Sequence, residues 1–233
     1  MKFTKKKLFV AALAVCLVAI LSMGTLAWFS DSDVVDNKFM IADTSDNTES
    51  DIFNIDLWEI TPGSEERNES GYTYEDILPG DSLKKDVFVK NTGYYDQYVR
   101  VIVTISDAQA WLDVLPANIA PETLAAQIFK GLDLSKWDHI YNNLSDDPDA
   151  EDLIYVLYYK DILKSTDEAI NVFDSIEIPN YFDQEDMAKF DNEFSINVRA
   201  QAVQTDNVVP DTITQGKTAA WEAFNTVGMS IAN

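Results

Sequence analysis

Several windows of the chain alternate apolar and polar residues with a period of two, which puts one set of side chains on a buried face and the other on a wet one. The clearest carries Val99, Val101, Val103 and Ile105 in one register, with Tyr98, Arg100, Ile102 and Thr104 between them. A second carries Phe194, Ile196, Val198, Ala200 and Ala202, interleaved with Ser195, Asn197, Arg199 and Gln201. Shorter echoes occur at Phe53, Ile55 and Leu57 and at Val87 and Val89. Leu153 to Tyr159 is apolar throughout, as in a strand buried on both faces or an aromatic-rich strand of a sandwich. All of these windows are expected to be strands.

Turn chemistry separates them. Pro79-Gly80-Asp81 offers Pro at the second and Gly at the third position of a type II turn, and Asn91-Thr92-Gly93 closes the strand that follows. Leu83 to Lys90 and Gln97 to Ser106 are therefore expected to pair as an antiparallel hairpin. Between Asp107 and Asp152 the alternation breaks. Pro121-Glu122 opens a short helix to Phe129, Ser145 to Asp152 reads as an acidic loop, and residues 107–152 are expected to form an insertion on the sheet scaffold. Further short helices are expected at Gln184 to Phe190 and at Thr218 to Val227, where Ala219, Ala220, Trp221 and Phe224 have helical spacing. Thr44 to Ser50 and Thr61 to Gly71 read as exposed loops. The chain is thus read as mainly β, an antiparallel sandwich with short helices in its connections.

The N-terminus has a different pattern. Lys2, Lys5, Lys6 and Lys7 precede an apolar run from Leu8 to Met23, and small residues follow at Gly24-Thr25-Leu26-Ala27. This is the layout of a secretory signal peptide over residues 1–27, cleaved between Ala27 and Trp28. Residues 28–42 then form the mature N-terminal segment and 43–233 the sandwich domain. An uncleaved anchor is the competing reading and the only membrane contact expected; a lipidated Cys16 is disfavoured by Val15 before it. The C-terminal end, Val227 to Asn233, carries neither a second apolar span nor a basic stop.

Charge then narrows the function. The chain has 233 residues, 40 acidic against 17 basic, a net charge of -23 and 46% hydrophobic residues. The hydrophobic fraction is that of a folded protein, while the charge sets it against phosphate and excludes nucleic acid as a partner. Cleavage removes four lysines and no acid, leaving 13 basic residues, a net charge of -27 and no Cys. No disulfide can then help, so stability must come from buried apolar area and sheet hydrogen bonds.

Catalytic signals are sparse. His139 is the sole histidine, so a His-Glu-x-x-His zinc helix cannot be assembled. In Trp137-Asp138-His139-Ile140-Tyr141 it reads as a half-buried structural residue. No serine triad follows from one His, the Cys nucleophile is lost on processing, and paired carboxylates carry little information in so acidic a chain. No enzyme, catalytic residue or cofactor is expected. Calcium is the one cation considered, at Asp146, Asp147, Asp149, Glu151 and Asp152 or at Asp31, Asp33 and Asp36, but neither run has the glycine placement of a calcium loop. Clustered Tyr94, Tyr95, Tyr98, Tyr155, Tyr158 and Tyr159 read as core and cross-strand packing ahead of a sugar platform.

Three places together resemble one family. Gly24-Thr25-Leu26-Ala27-Trp28-Phe29-Ser30-Asp31 is similar to signal peptides cut by a dedicated SipW-type signal peptidase. Leu78 to Gly93, with the turn Pro79, Gly80 and Asp81, resembles the strand-turn-strand of the TasA and camelysin group of exported proteins. Phe194 to Gln204, with Trp221 beyond it, is similar to that group's closing strand. The resemblance implies a secreted protein of a bacterial cell surface or biofilm matrix, folded as a jelly roll and able to polymerise with itself or with related matrix proteins. It also implies that the mature N-terminal segment, with Trp28, Phe29, Val34, Val35, Phe39 and Ile41, can add as a strand to the next subunit. The same segment can equally be a leader or the edge strand of its own sheet. A monomeric module binding carbohydrate, calcium or a protein is the alternative, and a camelysin-like metallopeptidase a weaker one. N-terminal sequencing of the exported protein is expected to read Trp-Phe-Ser-Asp from Trp28; a chain still carrying residues 1–27 would make the apolar run an anchor.

Overall fold

The computed structural model describes residues 30–35, 53–142, 152–190, 194–206, 208 and 217–229. The architecture is that of the unit Asp31–Asn233. Its strands are β1 (Ser30–Val35), β2 (Ile55–Ile60), β3 (Ser82–Asn91), β4 (Gln97–Ser106), β5 (Phe129–Lys130), β6 (Trp137–Asn142), β7 (Asp152–Tyr159), β8 (Ile170–Glu177) and β9 (Ile196–Gln204). They fall into a five-stranded sheet of order β1-β9-β4-β7-β6 and a four-stranded sheet of order β2-β3-β8-β5. The ladders β2–β3, β3–β8, β5–β8, β4–β7, β4–β9 and β6–β7 are antiparallel. Helices α1 (Ala108–Val114), α2 (Pro121–Ile128), α3 (Gln184–Met187) and α4 (Ala219–Thr226) lie in the connections and toward the C-terminus. The result is mainly β and sandwich-like.

The alternating registers meet between the sheets. Val99, Val101, Val103 and Ile105 of β4, Leu153, Tyr155 and Leu157 of β7 and Val198, Ala200 and Ala202 of β9 share one core with Ile55, Leu57, Val87, Val89, Phe173 and Ile176. Phe129 stacks on Phe173 with ring centroids 5.0 Å apart, joining β5 to β8. Trp111 of α1 meets Phe190 and Phe194 edge-on at 5.0 and 5.4 Å and closes one end of the core.

Part of the other face of the five-stranded sheet is buried as well. Tyr98 and Ile102 of β4, Val156 and Tyr158 of β7 and Val203 of β9 are buried with Ala220, Ala223 and Phe224 of α4. The small alanines let the helix sit close, and Thr218 caps it by accepting a bond from the Trp221 N–H at 3.1 Å. Arg100 is buried at this interface. Register sets it opposite Gln201 on one side and Tyr158 on the other. Its Nε donates to Gln201 Oε1 at 2.7 Å, and its guanidinium lies 4.2 Å from the centre of the Phe224 ring. Burial lowers the Arg100 pKa and raises that of Tyr158, and the hydrogen bond between them works against both shifts.

One pairing differs from the sequence expectation. Leu83–Lys90 and Gln97–Ser106 do not form a hairpin: β3 pairs with β2 and β8, and β4 with β7 and β9 in the opposite sheet. The buried Asn91 explains why. Its Nδ2 donates to the Tyr95 and Leu163 carbonyls at 2.8 and 3.0 Å, and its Oδ1 accepts from the Gly93 N–H at 2.9 Å. The Thr92 and Gly93 N–H groups both donate to the Asn54 carbonyl. With these groups tied to distant parts of the chain, the link arches across the core, and Val87 and Val89 share the interior with Val99 and Val101.

Residues 107–152, expected as an inserted stretch, hold α1 and α2 and also supply β5 and β6, one strand to each sheet. The Pro79-Gly80 turn forms as expected: Gly80 has φ +87° and the Asp81 N–H donates to the Leu78 carbonyl at 3.1 Å. Removing the Arg100 side chain as Arg100→Ala should cost about 2–3 kcal/mol, the range for lost charge-assisted bonds and ring contact, read as a lower urea midpoint. Trp221 fluorescence should report the loosening of α4 in the same titration.

Candidate assembly edge and the cleft at the start of β9

The N-terminal segment enters the fold as a strand. Ser30–Val35 forms β1 at the end of the five-stranded order, with β9 as its neighbour. Of the expected donor residues, Val34 and Val35 lie in this strand, while Trp28, Phe29, Phe39 and Ile41 fall outside the described residues, as does Ala27. Within the described residues, Ser30–Val35 is an edge strand of this chain's own sheet, one of the arrangements the sequence left open.

Two other edges are covered by the chain itself. Beside β8, β5 pairs with Ile176 and Ser175 alone. Next to that short ladder the Trp137 indole donates to the Asn171 carbonyl at 3.2 Å, and the Asn171 amide donates to the Phe173 carbonyl at 3.4 Å. On β2, Glu59 exchanges two backbone bonds with Asn68, at 3.0 and 2.8 Å. Such coverage keeps foreign strands off.

A cleft of about 1150 Å³ opens where β9 begins. The 71–77 loop, β3, the α3 region and Ser195 to Asn197 line it. Glu59 and Lys85 sit at its floor, and both are charges at inward positions. Glu59 continues the buried register of Ile55 and Leu57, and Lys85 that of Val87 and Val89. Glu59 stands opposite Val87, which makes Lys85 its diagonal neighbour, within reach of two long side chains. The pair is bonded through Lys85 Nζ and Glu59 Oε1, with Glu59 1% exposed. Glu59 Oε2, also buried, has no hydrogen-bond partner among the described residues. Tyr74 donates to the Lys84 carbonyl, and burial, reinforced by the Glu59 carboxylate, holds its phenol well above the usual range.

The remaining candidates are scattered. His139 is half-buried on β6, opposite Leu157. Asp152 opens β7 opposite Ser106, and Asp31 and Asp33 lie in β1. Asp36, Asp146, Asp147, Asp149 and Glu151 are outside the described residues. Among the described residues no group of three or more His, Cys, Asp or Glu could hold a metal ion, and no helix is long and apolar enough to cross a membrane. Tyr98, Tyr155 and Tyr158 are buried, whereas Tyr94 is exposed. Sequence reasoning missed the Glu59–Lys85 pair, although a charge in the inward register of each of two neighbouring strands, opposite in sign, was its available signal.

Compared with models of known protein families and with curated proteins, the chain matches none. Breaking the buried pair by Lys85→Met is expected to destabilise the fold by about 3–5 kcal/mol, because Glu59 would stay buried without its partner. The double variant Glu59→Leu with Lys85→Met should lose less than either single one, as denaturant midpoints of all three would register.

Proposed function

We propose that this is a secreted, non-enzymatic structural protein that assembles by exchanging its first strand between copies, in the manner the TasA and camelysin resemblance implies. The observation that carries the reading is the place of β1, at the end of the five-stranded order beside β9. Withdrawing it would bare the backbone groups of β9, and the same strand from another copy would complete them. Its sequence favours release. Four of its six residues, Ser30 to Asp33, are polar, so its sequence offers little apolar area to bury. The 17 residues from 36 to 52 that follow can extend over roughly 56–61 Å, enough to pass from one copy to the next.

A jelly roll is the finer form of the fold under this reading. In that architecture nested strand pairs alternate between the two sheets. The pairs β1–β9 and β4–β7 in one sheet enclose and are enclosed by β3–β8 in the other, which supports it. In this reading β6 stands beside β7 in place of the eighth jelly-roll position, and β2 is added at the opposite edge. Exchange of identical strands head to tail does not close, so a filament follows.

The exported chain from Trp28 is expected to polymerise with rising concentration, seen by light scattering and electron microscopy, while a chain starting at Ile52 stays monomeric. Val34→Pro in the full exported chain should also suppress assembly by spoiling the donor strand. Equal polymerisation by all three would refute strand exchange; a saturable ligand with no gain in mass would favour the monomeric binding module.

A further inference from the structure

The floor of the cleft is incompletely satisfied. Glu59 is 1% exposed and lines the cleft, Lys85 engages its Oε1, and its Oε2 has no donor among the described residues. A carboxylate oxygen left without a donor in a buried position is costly, and a cation entering the cleft would relieve that cost. Glu75, Asp76 and Asp107 also line it, against Lys85 as the one basic residue among the described lining groups. The opening therefore favours positive charge. Phe190, Phe194, Ile196 and Met187 make its other walls apolar. The occupant that fits is a primary ammonium followed at once by a large apolar side chain.

The chain contains such a segment in the right place. From Trp28 to Glu66 the sole basic residue is Lys38, and Phe39, Met40 and Ile41 follow it. Lys38 lies three residues beyond Val35, the end of β1, a reach of about 10 Å of extended chain before its own side chain is added. With β1 antiparallel to β9, as the proposed jelly roll requires, Val35 ends near the start of β9, where Ser195, Ile196 and Asn197 line the cleft.

We propose that the cleft receives Lys38 and Phe39 of a second copy, the ammonium on Glu59 Oε2 and the ring against Phe190, Phe194 and Ile196. This rests on the strand-exchange reading and adds what fixes the register of the exchanged strand. Six β1 residues with two adjacent valines specify alignment weakly, because a slip of two positions keeps the same facing pattern. A charge seated at one buried point removes that freedom.

The test uses the exported chain, assembled from equal parts of isotopically light and heavy protein and treated with a zero-length carbodiimide cross-linker. Digestion and mass spectrometry should find Lys38 joined to Glu59, with about half of the linked peptides of mixed isotope. Lys38→Gln should raise the critical concentration for assembly about tenfold, the scale of one lost desolvated charge contact, while Lys38→Arg stays near the parent. Fibres that form with an unchanged critical concentration in Lys38→Gln and no Lys38–Glu59 link would overturn the docking and leave strand exchange standing. A link found solely between peptides of the same isotope would place the segment in its own copy and overturn it too. If the parent chain forms no polymer at all, strand exchange and docking fall together.

Discussion

The rest of the structure depends on a strand that is dry on both faces. β4 lies between β9 and β7, sends Val99, Val101, Val103 and Ile105 into the sandwich, and presents Tyr98, Arg100 and Ile102 to α4. A sheet with one wet face can tolerate loss of its outer layer; this one cannot, since Tyr98, Ile102, Val156, Tyr158 and Val203 on its outer side are buried under that layer. α4 is for that reason part of the core. Arg100 and Gln201 are buried polar residues in the layer; they bond to each other, and the Arg100 guanidinium also lies over the Phe224 ring of the helix. The Arg100 donors make the row β9-β4-β7 continuous on a face where slippage would otherwise cost little.

Local periodicity made the strands legible. Val99 to Ile105, Leu153 to Tyr159 and the window from Phe194 all became strands at or near their expected bounds, because burial against the opposite sheet rewards the alternation they show. The short helices at Gln184 and Ala219 were legible for a different reason. Asp183 caps the first through the Glu185 and Asp186 N–H groups, and Thr218 caps the second, both by local bonds that need no tertiary partner. Pairing was less legible. Whether two neighbouring strands fold back on each other or arch across a core is decided by what the link binds, and Asn91 binds Leu163, 72 residues away. Such a contact leaves no trace in the spacing of residues near Asn91. The floor of the cleft was hidden for a related reason: Glu59 and Lys85 each look like ordinary solvated charges until register places them on the same inner face.

Charge frames any association of this chain. Copies that each carry a strong negative charge repel at long range, and that repulsion is screened beyond about 8 Å at physiological salt. Contact must then be won at short range, by backbone hydrogen bonds along a strand and by the few places where opposite charge meets. In any contact between copies, such repulsion would weigh on the charged side chains more than on a joint made mostly of main chain.

The indole of Trp137 has a geometric consequence. It belongs to β6, the last strand of one sheet, and it grips a carbonyl of β8 in the other. The two sheets are thus bonded to each other along that flank by a side chain as well as by the core they share. Such a cross-sheet bond resists sliding of one sheet over the other, so that flank gains a stiffness that apolar packing alone does not supply.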